Sequence, residues 1–169
     1  INTSGYTVDS CTGKPGDHVL GLEVVLPTGE IIRTGGETLR LNAGPDLTKL
    51  YTGGEGLFGV ITKLIIRLLP KPAEEISGYV AFDSTLDMVK GVVRMYWDRA
   101  PYPRICEFHD EDLSKLIFEK MKSPDPKGAT IVFLVDGNAP GEARWKVEKL
   151  FESFKKEGGR DTRIISKEE

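Results

Sequence analysis

Two hydrophobic periods alternate along this chain. Apolar residues come at alternate positions or in short unbroken runs over 19–26, 60–69, 79–82, 105–108, 129–135 and 163–165. That pattern is the mark of strands, half-buried where it alternates and fully buried where it runs unbroken. Between these runs the spacing changes to three or four. Leu86, Val89, Val93 and Tyr96 or Trp97 form one such series. Leu113, Leu116, Ile117 and Met121 form a second, and Val147, Leu150, Phe151 and Phe154 a third, the last at core spacing on a helix over 141–156. Each series predicts a helix with one apolar face.

Punctuation residues sharpen the boundaries. Pro27-Thr28-Gly29-Glu30 has proline at its start and glycine where positive φ is tolerated, so 19–34 reads as a hairpin whose return strand begins at Ile31 and stops at Gly35-Gly36. Asp46 is suited to cap a short helix over 46–51 that Gly53 ends. Asp83 or Ser84 is placed to cap the helix that follows 79–82. Pro70-Lys71-Pro72 interrupts the run that began at Val60, because proline cannot continue a ladder, and it predicts a junction between a domain over 1–72 and another over 73–169. Strands alternating with helices predict an α+β fold, with helices on one face of a sheet.

Composition narrows the classes. With 39% hydrophobic and 29% charged residues, the 169-residue chain is that of a globular protein of one or two domains. A net charge of −3 offers no footprint for nucleic acid. The longest apolar run, 60–69, contains Lys63 and Arg67 and is too short to span a bilayer. The opening Ile-Asn-Thr-Ser-Gly is neither a signal peptide nor an initiator segment, and it reads as the middle of a longer polypeptide. Cys11 and Cys106 fit no metal spacing; they read as free thiols in a reducing, cytoplasmic compartment, with one long-range disulfide as the alternative.

The densest chemical signal is residues 53–62, Gly-Gly-Glu-Gly-Leu-Phe-Gly-Val-Ile-Thr, in which Gly53, Gly54, Gly56 and Gly59 run into a strand. Glycine lets another group approach the backbone and allows positive φ. Such a loop suits a flat or phosphorylated ligand meeting main-chain N–H groups, or a tight helix-to-strand connection needing glycine for geometry alone. Elsewhere the signals are local. His18 reads as a strand-end residue, and Asp17 as a turn cap or a residue that orients a cofactor loop. His109 lies among acids, yet strand neighbours point to opposite faces, so the cluster reads as a strand end and helix N-terminus with Asp110 and Glu111 favouring the dipole. Arg33, Arg40, Arg99, Arg104 and Lys49 are each able to pair with a substrate carboxylate. Trp97 and Trp145 read as core or helix-packing residues rather than a stacking platform.

Four segments in order carry a family resemblance. Asn2-Thr3-Ser4-Gly5, Asp17 to Glu30, Ala43 to Leu50 and Gly53 to Thr62 are together similar to the FAD-linked 2-hydroxy-acid oxidoreductases of the glycolate oxidase D-subunit and D-lactate dehydrogenase type, within the vanillyl-alcohol oxidase superfamily. The resemblance implies that 1–72 is the second half of a PCMH-type FAD-binding domain. It implies that 73–169 is the start of a ferredoxin-like α+β substrate (cap) domain. FAD is the implied cofactor. Thr3, Ser4 and Gly5 are implied at the flavin ring or pyrophosphate edge, and Gly54, Glu55, Gly56, Gly59, Val60 and Ile61 as the second flavin loop, with the Ile61 amide at the adenine end. Glu55 reads equally as an exposed loop carboxylate or a cap that orders the loop.

The family usually has serine where Gly54 stands, a small aliphatic or threonine pair in place of Leu57-Phe58, and often a second glycine in place of Tyr6. The resemblance implies a small 2-hydroxy acid as substrate, with oxygen, a quinone or another carrier taking the electrons, and it assigns no catalytic residue and no metal. The segments that complete the family's phosphate cradle and supply its proton-abstracting groups match nothing here, so this slice alone is expected to bind FAD weakly or not at all. The expected partners are therefore a complementary chain or a second copy, with any membrane association indirect. The rival reading is a non-catalytic, split-chain module that acts only by assembling with complementary chains.

Overall fold

A computed structural model describes residues 13–39 and 44–165. The chain divides into two compact units, Ile1–Pro70 and Lys71–Glu169.

In the first unit a 3-10 turn, Pro15–His18, leads into β1 (Val19–Val25), which pairs antiparallel with β2 (Ile31–Gly35). The turn closes where Gly29 N–H donates to Leu26 O at 2.9 Å and Leu26 N–H to Glu30 O at 2.8 Å. Gly29 has φ +87°, the conformation for which glycine was expected there. Helix α1 (Leu47–Tyr51) starts at Asp46, whose carboxylate accepts from Lys49 N–H at 3.3 Å. β3 (Val60–Ile66) then pairs antiparallel with the other side of β1, giving the order β2-β1-β3. One face of this sheet buries Val24 and Leu22 with Ile32, Tyr51 and Ile61 packed around them. On the other face Glu23 accepts from Lys63 at 3.0 Å and Arg33 at 3.1 Å, its cross-strand neighbours in register. These bonds, Lys63 first, hold the Glu23 carboxyl below its ordinary range.

The apolar run over 60–69 predicts a longer strand than forms. β1 begins at Val19, opposite Ile66, so past the bond from Arg67 N–H to His18 O (2.8 Å) no partner remains and the ladder stops.

The second unit runs β4 (Glu74–Phe82), α2 (Thr85–Trp97), β5 (Ile105–His109), α3 (Glu111–Lys120), β6 (Ala129–Gly137), α4 (Glu142–Lys155) and β7 (Arg160–Ile165). The antiparallel sheet has the order β5-β6-β4-β7. With α3 set aside this is a βαββαβ ferredoxin-like arrangement, an α+β fold. Ser84 caps α2, accepting from Asp87 N–H at 3.2 Å. β4 and β7 start earlier than their apolar runs, at Glu74 and Arg160, because pairing to Gly137 and Ala81 extends them through polar residues.

Val80, Phe82, Ile131, Phe133 and Val135 face α2 and α4, which supply Met88, Met95, Val147, Leu150 and Phe154 to one core. Residues paired across strands share a face, so Tyr79, Ala81, Thr130 and Val132 point the other way. There α3 packs, through buried Ser114 and the Phe118 ring 5.6 Å from that of Tyr79. Helices thus lie on both faces, not one.

The series on α2 that reads as its apolar face points to solvent: Leu86, Val89, Val93, Tyr96 and Trp97 are exposed, and the helix packs through Met88, Gly91 and Met95. The cause is the bulk of Phe82 beneath. A Cβ at Gly91 would sit 2.8 Å from the Phe82 ring, so the helix turns its slimmest face inward. Trp97 (74% exposed) and Trp145 (52%) are likewise surface residues rather than core. Arg94 lies over the Trp97 ring at 5.7 Å, and this amphipathic side chain is solvated at its edge instead of packed.

Candidate functional site

The glycine loop leaves α1 and enters β3 in seven residues, 53–59. Gly54 N–H donates to Tyr51 O (3.2 Å) and Leu57 N–H to Gly54 O (2.8 Å), which folds the loop into consecutive turns. Gly53, Glu55, Gly56 and Gly59 all have positive φ, at 80°, 49°, 82° and 153°. Phe58 folds back so that its ring meets Tyr51 edge-on at 6.5 Å and closes over Gly54, where a Cβ would lie 3.1 Å from it. At Gly59 a Cβ would meet Val25 O and a Val24 methyl, both at 2.7 Å. Gly59 is therefore glycine because β1 passes against it, while nothing lies within 4 Å of the Gly56 Cβ position.

The result is a lip of backbone beside an apolar wall. The main-chain N–H groups of Glu55, Gly56 and Phe58 donate to no described residue. Leu57, Phe58 and Val60 are exposed next to them, and Ile61 is half-buried in the core of its own unit. N–H donors without an acceptor among the described residues, a Cβ-less approach at Gly56 and a neighbouring apolar surface are the kind of donor set that a flavin edge or pyrophosphate requires. Glu55 is exposed and forms no ion pair within the described residues, so it stands as a loop carboxylate. Thr3, Ser4 and Gly5 lie outside the described residues, as do Arg40 and Cys11.

The other sequence candidates resolve into local structure. Asp17 accepts from Lys14 N–H at 3.0 Å and closes the 3-10 turn, and this bond, with Lys49 contributing less, draws its carboxyl below the usual range. Lys49 donates to Gly16 O at 2.9 Å. Arg33 is held by Glu23, and Arg104 by Glu75 at 2.8 Å, so neither guanidinium is uncommitted. Arg99 has φ +52° in the connection after α2.

The acids around His109 disperse. Asp110 caps α3, accepting from Leu113 N–H at 2.8 Å, and Glu111 accepts from Thr85 N–H and its hydroxyl at 2.7 and 2.6 Å. His109 itself is buried under α3, where its Nδ1 lies 3.4 Å from the Thr130 hydroxyl and Thr130 meets Ser114 at 2.9 Å. Its Nε2 is 3.6 Å from the Glu107 carboxylate. Among the described residues no group of three or more His, Cys, Asp or Glu side chains could hold a metal ion. No described helix is long and apolar enough to cross a membrane.

Cys106 is a free thiol on β5, and burial, reinforced by Glu107, pushes it up to about 12. Tyr79 and Arg163 sit opposite each other on β4 and β7, with the guanidinium 5.9 Å from the ring. The sequence does not single out this pair, because partners 84 positions apart become neighbours only through strand register.

Comparison with known proteins places this arrangement. Residues 71–169 match the family described as FAD linked oxidases, C-terminal domain. The chain is 35% identical over 146 residues to glycolate oxidase subunit GlcD of Bacillus subtilis (strain 168), covering 86% of this chain and 31% of that protein. It is 27% identical over 156 residues to a D-lactate dehydrogenase of Anaerostipes hadrus, covering 88% and 33%. A solved structure of alkyldihydroxyacetonephosphate synthase superposes with TM-score 0.72 at 17% identity, over 96% of this chain and 31% of the other, so the fold is shared. The chain thus spans about a third of the length of these relatives. By the match over its second unit, which is more than half its length, the chain belongs to the FAD-linked oxidase family and carries that family's C-terminal domain from residue 71 onward.

Proposed function

We propose that the protein containing this chain is an FAD-dependent oxidoreductase that converts a small 2-hydroxy acid, of the glycolate or D-lactate type, to the 2-oxo acid. The similarity to the glycolate oxidase subunit supports this reading most directly, because its 146 aligned residues are more than either unit contains and so extend across both. When bound, FAD supplies the hydride acceptor and passes electrons on to oxygen, a quinone or another carrier. The chain's own part is positional. The N–H groups of Glu55 and Gly56 donate to the cofactor's polar edge, Gly54 and Gly59 keep the loop folded, Val60 offers an apolar wall, and Ile61 contributes its main chain. The family resemblance assigns Thr3, Ser4 and Gly5 to the flavin ring or pyrophosphate edge. Residues 1–72 are then the second half of the FAD-binding domain, and 73–169 the beginning of the substrate domain.

A second reading is favoured by β3, an edge strand among the described residues, where Val60 and Ile66 are 65% and 53% exposed. An edge strand of this kind is a template for pairing with another chain. The module then acts by assembly with a complementary chain.

One preparation separates the two. The full-length polypeptide carrying this sequence is purified without denaturant and its spectrum taken. Absorption near ~450 nm, the band of a bound flavin, that bleaches anaerobically with glycolate or D-lactate supports the first reading. A colourless protein that co-purifies with a second, flavin-bearing chain supports the other. A flavin that none of a series of 2-hydroxy acids reduces rules out the substrate class.

A further inference from the structure

Helix α2 packs on the sheet through Met88, Gly91 and Met95 and turns a long apolar stripe outward. Leu86, Val89, Val93, Tyr96 and Trp97 are all exposed along it. Tyr102, from the connection after the helix, is exposed too and sets its ring edge-on to Tyr96 at 5.2 Å. Val89, Val93 and Trp97, with Lys90, Arg94 and Glu157, line an open groove of about 290 Å³ on this face. Six apolar side chains exposed to this degree present roughly 500 Å² of carbon, at the upper end of what a monomer leaves in water. With its charged rim the face approaches the ~800 Å² that each partner contributes to a stable interface. Tryptophan and tyrosine are also the residues that anchor the centres of interfaces.

The charges on this face sum to zero and are paired within the chain. Lys90 holds Asp87 at 2.8 Å and Arg94 holds Glu157 at 2.6 Å. Such a face does not repel a copy of itself. At about 3.6 residues per turn, Leu86, Lys90, Val93 and Trp97 run along the centre of the stripe. Val89 and Tyr96 then lie on one flank, and Asp87 and Arg94 on the other.

We propose that the outer face of α2 is a homodimer interface, in which the α2 helices of two copies pack antiparallel about a two-fold axis. Such an axis sets like flank against like flank with the ends reversed. Leu86 then faces Trp97 of the second copy, Val89 faces Val93, and Asp87 faces Arg94. The two Lys90 side chains come near the axis, each neutralised by its own Asp87. A parallel pairing would instead bring the flank of Asp87 and Arg94 onto Val89 and Tyr96, covering charge with carbon. Antiparallel order also opposes the two helix dipoles. The interface lies wholly within the second unit and does not rest on the redox reading.

The test takes the full-length polypeptide carrying this sequence through a concentration series in sedimentation velocity. The expected result is a monomer–dimer equilibrium with dimer dominant at about 10 μM, and a dissociation constant raised at least about tenfold by Trp97→Ala and by Val93→Arg, the scale of a central anchor. Both side chains are exposed, so the variants are expected to keep the wild-type circular dichroism and melting temperature. Register is read separately. Leu86→Cys mixed with Trp97→Cys is expected to cross-link under mild oxidation faster than either variant does with itself. A monomer at every concentration, a dimer that either substitution leaves as tight, or self-linking of Leu86→Cys ahead of the mixture each overturn the proposal. So does a face that takes a different chain or a lipid vesicle in place of its own copy. The cysteine cross-links decide it if Trp97→Ala or Val93→Arg does not fold.

Discussion

Gly59 and Gly56 share a loop and a positive φ, but their surroundings separate them. At Gly59 a Cβ collides with Val25 O and Val24, both at 2.7 Å, and at Gly56 it meets nothing within 4 Å. Gly59→Ala is therefore expected to destabilise the first unit by at least about 2 kcal/mol, and Gly56→Ala by about 1 kcal/mol. Amide exchange of β1 and β3 measures both; equal effects at the two positions would contradict the distinction. The sequence marks all four glycines alike, since what distinguishes them is a strand more than thirty residues earlier. Cys106 is a second residue-scale case. With its thiol pushed up to about 12, it is protonated across the physiological range, and only the thiolate reacts. Iodoacetamide at pH 8 is expected to label it far more slowly in the folded protein than in denaturant, as read by mass spectrometry of the Cys106 peptide. Native labelling as fast as in denaturant would show that the thiol is not buried.

At the scale of elements, α2 and α4 are joined at one end by Asp98, which accepts from Lys156 at 2.7 Å and from Ser153 at 3.0 Å. The Lys156 bond, first, and Ser153 draw the Asp98 carboxyl below its ordinary value. A carboxyl whose folded pKa is depressed stabilises the fold above its unfolded value, near about 4, and that contribution disappears as pH falls through the lower folded value. The melting temperature is expected to drop below about pH 4, and Asp98→Asn to be less stable than wild type at pH 7 with a smaller drop on acidification. Parallel pH profiles for the two proteins would count against this role. The contact of α2 with the sheet depends on Gly91. Gly91→Ala gains about 1 kcal/mol of helix propensity but pushes a methyl to 2.8 Å from Phe82, and a net loss of about 1–2 kcal/mol is expected in urea denaturation. A more stable variant would mean that the Phe82 ring yields easily. The sequence predicts the existence of α2 and its Ser84 cap, because both depend on spacing and on a local hydrogen bond. It misassigns the buried face, because the more apolar stripe is not the one that clears the rings below.

For the whole molecule, the second unit closes its own core around Phe82, Phe133 and Phe154, all fully or almost fully buried. A polypeptide of residues 71–169 is therefore expected to unfold cooperatively by itself, and Phe154→Ala to cost it about 3–5 kcal/mol. Broad, non-cooperative melting of that piece would show that its stability comes from outside it. What the sequence by itself determined is what lies within a few residues: strand and helix periods, the 27–30 turn, the Asp46 and Ser84 caps, the Pro70-Lys71-Pro72 break and the glycine loop. These depend on backbone preferences and short-range bonds, which local composition encodes. The tertiary structure alone decided that β3 ends at Ile66, that α3 covers the face opposite α2 and α4, that Trp97 and Trp145 stay in solvent, and that Tyr79 meets Arg163. Each of these is set by which strand is available to pair and which side chain occupies the space across the sheet. Those partners lie tens of residues away, where no local pattern records them.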